Sequence, residues 1–132
     1  NLNVLDFETY IMMTDLILAH NIPQLLLAYN SLLAKGFDGH HFIIGLASHF
    51  RDLMVCKNPA TLTLLEAGEH AQKLYGEQAQ KCEISFLLQA LEMANDCDLK
   101  YKTSQNQRLL VELTLMQLSS INFDGEKKKL IS

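Results

Sequence analysis

Apolar residues recur at helical spacing along almost the whole chain, and short polar clusters interrupt them. The first such stretch runs from Asp6 to His20, with Asp6 as a candidate N-cap and Glu8 in the first turn. Its face is Phe7, Tyr10, Ile11, Thr14, Ile17 and Leu18; Met12 and Leu16 lie on the other side. A second helix is expected from Pro23 to Lys35, with Ile22, Leu25, Leu26, Tyr29, Leu32 and Leu33 as its stripe and Gly36 as its stop. The short link makes these two an antiparallel hairpin. Asp38 caps a third helix from Gly39 to Val55, whose core face is Phe42, Ile43, Leu46, Phe50, Leu53 and Met54. Asn58-Pro59 breaks the chain. A short helix over 60–65, a polar one over 66–80 and an amphipathic one over 83–97 follow, and residues 98–103 read as a polar connection.

The last expected helix, Ser104 to Ser120, carries two apolar faces. Leu109, Leu110, Leu113 and Met116 form one; Val111, Leu115 and Leu118 form the other, nearly opposite. Arg108, Glu112 and Ser119 keep a thin strip polar. A helix apolar on two sides is central in its domain or shared with a partner. The fold class is therefore all-α, a compact bundle of about five to seven helices. Residues 1–122 form the helical domain; 123–132 read as a polar tail or the start of a linker.

Composition narrows the function. Eleven basic against fifteen acidic residues give a net charge of −4, which argues against direct nucleic-acid binding. The one basic run, Lys127-Lys128-Lys129, falls in the tail. Three cysteines (Cys56, Cys82, Cys97) without C-x-x-C spacing fit reduced thiols rather than a disulfide framework or zinc site. No apolar run approaches the roughly 18 residues of a membrane span. Asn1 starts without an initiator Met, so an excised piece of a longer chain is expected.

No phosphate loop, nucleophile elbow, H-E-x-x-H or dinucleotide glycine fingerprint occurs, so no catalytic residue, metal ligand or bound cofactor is assigned. His40, His41, His49 and Asp52 are the most enzyme-like cluster. His41 and His49 stand about 12 Å apart along a helix axis, too far for one metal. They read as a hydrogen-bonded helix face or cap network. Cys56 and Cys97 read as small core residues.

The run Gly36-Phe37-Asp38-Gly39-His40-His41-Phe42-Ile43, continuing from Gly45 to Leu53, resembles the third (collar) domain of bacterial DNA polymerase III gamma/tau subunits. Asn106 to Met116 resembles that family's final collar helix, and the likeness extends from Leu5 to about Leu118. The resemblance implies an oligomerisation scaffold, cytoplasmic, that holds AAA+ ATPase modules in the ring loading the sliding clamp. It implies other gamma/tau copies and the delta and delta-prime subunits as partners. The parent subunit is the ATP-dependent component of a nucleotidyltransferase holoenzyme; its ATP, Mg and structural Zn belong to modules outside this chain. Helical geometry places the oligomer interface on Val111, Leu115 and Leu118, on the strip Arg108 and Glu112, and secondarily on the face Gly45, Ser48 and Asp52. Leu115→Asp is then expected to weaken self-association while sparing helicity. Two other readings compete: a helical peptide-binding adaptor, and a small metal-dependent hydrolase using His41, His49 and Asp52.

Overall fold

A computed structural model describes residues 5–121. The expected tail 123–132, with its lysine run, lies outside the described residues. Among the described residues there are seven helices and no strand: α1 Phe7–Leu18, α2 Ile22–Ala34, α3 Gly39–Val55, α4 Pro59–Leu62, α5 Glu69–Gln80, α6 Ile84–Tyr101 and α7 Gln107–Ser119. The expected all-α bundle is what the chain forms.

Local chemistry sets the boundaries. Asn21, Asp38, Asn58 and Asn106 each accept a backbone N–H at the start of a helix, with Asp38 Oδ2 taking His41 N at 3.0 Å and Asn106 Oδ1 taking Leu109 N at 3.0 Å. Asp6 holds the N-cap position of α1, although its side chain makes no capping bond. At the end of α2, Gly36 is left-handed with φ 93°, which lets Phe37 N reach Leu32 O and Gly36 N reach Leu33 O. His20 does the same for α1 at φ 58°, a conformation uncommon for a residue with a Cβ. Its Nδ1–H donates to the Ser119 carbonyl at 2.6 Å, tying the end of α1 to the end of α7.

Four boundaries differ from expectation by three residues or more, among them the start of α7, at Gln107 rather than Ser104. Helix α6 continues one turn past Cys97 to Tyr101, where a polar connection was expected. The polar residues there are partnered: Lys100 pairs with Asp96 at 2.8 Å, His40 Nε2–H donates to Asp98 at 2.5 Å, and Tyr101 stacks on His40 at 4.5 Å. Helix α4 is a single turn, and α5 begins at Glu69 rather than Glu66. Lys57 reaches across to the far end of α5 and donates to the carbonyls of Ala79 at 2.9 Å and Cys82 at 2.7 Å, a cation at a helix C-terminus.

Helix α3 is the centre. It packs most extensively on α6 and also meets α1, α5 and α7. Phe42, Ile43, Leu46, Phe50 and Leu53 are sealed from solvent, joined by Met13, Leu25, Tyr29, Phe86 and Leu87. Cys82 and Cys97 are buried among them; burial pushes the Cys82 thiol up to about 11, which makes it a poor nucleophile at neutral pH.

Helix α7 lies against this centre along one stripe. Val111 and Leu115 are 0% exposed and Leu118 is 1% exposed, flanked by the buried small polar residues Thr114 and Ser119. The expectation that Val111, Leu115 and Leu118 form the outer face is corrected: they are core, and of the other apolar stripe Leu109 and Leu113 point out while Leu110 and Met116 are half-buried. Leu109 is 52% exposed and Leu113 is 46% exposed. Leu115→Ala is therefore expected to lose about 2–5 kcal/mol of unfolding free energy in a denaturant titration. Leu113→Ala, at an exposed position, is expected to change it by roughly 0.5 kcal/mol or less.

Candidate functional site

Two surface features involve the residues singled out in the sequence: a groove over α1 and α3, and the outward side of α7, whose Leu109 and Leu113 are exposed alongside other apolar residues such as Leu27 of α2 and Ile84 and Leu88 of α6. The groove has a volume of about 520 Å³ and is lined by Phe7 and Tyr10 of α1, Phe42, Ile44, Gly45, Ser48, His49 and Asp52 of α3, and Tyr75 of α5. Leu5, Phe37, Asp38 and His41 complete its edge. Its walls are mainly aromatic and aliphatic, with the carboxylates of Asp38 and Asp52 at the rim.

Gly45 stands on the face expected as a secondary interface to another subunit. It admits a side chain of its own domain instead: the hydroxyl end of Tyr10 occupies the space a Cβ would fill. Tyr10 stacks on Phe42 at 5.9 Å and on His49 at 6.2 Å, so the small residue lets an aromatic of α1 lie flat on α3. Burial raises the Tyr10 hydroxyl to about 12, so it stays neutral.

His49 forms the floor and is fixed by a buried glutamine. Gln78 of α5 donates its amide hydrogens to Ile11 O at 2.8 Å and Asp15 Oδ1 at 2.9 Å. Both donors being spent, its Oε1 must accept, and His49 Nε2, 2.7 Å away, must carry the hydrogen. The Gln78 amide thereby ties α1, α3 and α5 together. His49 Nδ1 is buried without a hydrogen-bond partner. Protonating it would place a charge beside Tyr10, Phe50 and Tyr75, and burial lowers the His49 pKa to about 4.

His41, His49 and Asp52 do not converge in this geometry. His49 spends Nε2 on Gln78 and buries Nδ1; Asp52 pairs with Arg51 at 2.9 Å; His41 is exposed and lies 3.4 Å from Asp38. No group of three or more ligating side chains converges among the described residues. The hydrogen-bonded helix face expected as the simpler alternative describes these residues better.

On α7, Arg108 Nη2 donates to Asn30 of α2 at 2.7 Å and Arg108 Nε to Glu112 at 3.2 Å. The polar strip expected at a subunit contact thus also braces α7 on α2. Leu109 and Leu113 lie beside it, on the side of the helix opposite the buried stripe. Sequence reasoning ranked the two stripes in the wrong order. The buried small residues Thr114 and Ser119 on the Val111 side were the available signal, because small residues mark where a helix packs closely.

The fold defines an all-helical domain, and the chain belongs to a clamp-loader family of DNA replication. The family is the DNA polymerase III delta subunit, C-terminal domain, whose model matches residues 8–118. The delta subunit is related to gamma/tau but different from it, so the match supports the clamp-loader class and leaves the gamma/tau resemblance as the finer reading. No curated protein matches the chain. No described helix is long and apolar enough to cross a membrane.

The buried histidine makes stability depend on pH. Unfolded, His49 takes up a proton near its ordinary value of 6.5; folded, only near 4. Between these values the unfolded chain binds more protons, so stability falls as the pH drops through that window. Wild type is expected to lose about 2–3 kcal/mol more than His49→Gln between pH 7 and 4.5, measured by denaturant titration at each pH.

Proposed function

We propose that this domain is an oligomerisation scaffold of a bacterial clamp loader. It holds AAA+ ATPase modules in the ring that loads the sliding clamp, and carries out no catalysis itself. The observation that carries this reading is an apolar ridge, Leu109 and Leu113, left outside the domain's own core in a clamp-loader family. Tethering through such a ridge raises the effective concentration of attached modules and fixes the order in which they meet. Polar neighbours such as Arg108 and Glu112 set register and partner choice more than affinity. The proposed setting is the bacterial cytoplasm. ATP, Mg and structural Zn are assigned to other modules of the parent subunit.

The finer reading is a gamma/tau collar. The segments Gly36–Leu53 and Asn106–Met116 support it. On this reading the partners are further gamma/tau copies and the delta and delta-prime subunits. The delta position itself is a second reading, favoured by the family match over residues 8–118.

Light scattering on the chain, alone and mixed with gamma/tau, delta and delta-prime subunits, separates these. A gamma/tau collar is expected to show a mass above the monomer on its own, rising with concentration. A monomer that associates only when gamma/tau copies are added points to the delta position. A chain that stays monomeric in every mixture would sink the scaffold reading.

A further inference from the structure

We propose that residues 98–110 form a latch that opens as one unit while the rest of the domain stays folded, with His40 as its catch. The segment comprises the last turn of α6, the link and the first turn of α7. None of residues 98–110 is buried, whereas Cys97 and Val111 on either side are 1% and 0% exposed. The segment thus hangs between two core anchors. Tyr101 and Leu110 pack against the core but stay half-buried. A stretch with few buried apolar contacts opens at a lower free energy than the core does.

The last turn of α6 has little helical support of its own. Asp98 puts a carboxylate at the negative end of the helix dipole. Asp and Tyr are weak helix formers. Lys100 suits that end, but its charge is shared with Asp96 in an exposed pair. What holds the turn comes from α3. His40 Nε2–H donates to Asp98, and the His40 ring stacks on Tyr101 with 6° between the planes. Gly39 makes room for this contact: the Tyr101 hydroxyl lies 3.2 Å from where a Cβ would stand, and the Tyr29 hydroxyl crowds the same place.

The hold passes on along the chain. Tyr101 O accepts from Gln107 Nε2 at 2.9 Å, and Ser104 N donates to Lys100 O at 3.1 Å. Arg108, next after Gln107, bonds Asn30 at 2.7 Å. Freeing Tyr101 therefore takes away the acceptor of Gln107 and loosens the start of α7, although both His40 contacts run to α6. Opening lifts Tyr101 from the start of α3 and lets Arg108 and Leu109 move, while Val111, Leu115 and Leu118 stay in the core. The latch works within one copy, whether or not the chain associates with others.

Amide hydrogen exchange of the whole chain, followed by NMR, tests this. In wild type the amides of Lys100, Tyr101 and Ser104 on one flank and of Leu109 and Leu110 on the other are expected to share one opening free energy. They should exchange faster than the amides of Phe50 and Leu87. Each of His40→Ala and Arg108→Ala is expected to speed exchange about ten-fold on both flanks, because each removes a charge-assisted bond that the closed latch makes and the open one lacks. Asp98→Asn, at a partly exposed position, takes the place of His40→Ala should that variant misfold. Independent fraying would let each variant speed its own flank alone, and that result overturns the latch. Wild-type latch amides as slow as those of Phe50 and Leu87 overturn it as well.

Discussion

Helix α3 is enclosed by α1, α5, α6 and α7, and closing a shell around it constrains the rest of the domain. A helix surrounded in this way can keep a polar side chain only where a neighbour supplies a partner. His49 is such a side chain, and Gln78 is the neighbour. Its amide also holds α1 through Ile11 and Asp15, so one buried glutamine sets how three helices meet. Gly45 completes the arrangement by letting Tyr10 lie flat on α3. The groove is what remains above this contact, floored by a neutral histidine and walled by aromatics.

The same enclosure determines which face of α7 remains for other molecules. Val111, Leu115 and Leu118 are drawn into the shell, and Leu109 and Leu113 are turned away from it. Arg108 holds that orientation from the side by bridging to Asn30 on α2, and His20 pins the far end through the Ser119 carbonyl. The ridge is thus held in place at both ends. A pre-oriented surface loses less entropy on association than a loose one, which suits a domain whose proposed work is to hold other modules in register.

Much of this was legible in the chain. Helical spacing, Asx caps and a left-handed glycine located the helices, because these signals act within a few residues. The extra turn of α6 was hidden because its support is not local: Asp98 and Tyr101 are held by His40, far away in sequence. The orientation of α7 was hidden for a related reason. Two leucine-rich stripes have nearly the same hydropathy, and only the packing of α1, α2, α3 and α6 decides between them. The histidine cluster separated once the fold was known, since His49 turns inward to Gln78 and His41 turns out beside Asp38. The groove could not be read from sequence at all, because its walls come from α1, α3 and α5.

One buried amide sets how α1, α3 and α5 meet. Gln78→Leu keeps a side chain of similar size, removes all three hydrogen bonds and leaves the His49 Nε2–H buried without its acceptor. Its unfolding free energy at pH 7 is expected to fall by about 1–3 kcal/mol in a denaturant titration, and the double variant Gln78→Leu with His49→Leu is expected to lose less than the two single variants summed. A Gln78→Leu chain as stable as wild type, or losses that simply add, would contradict the account.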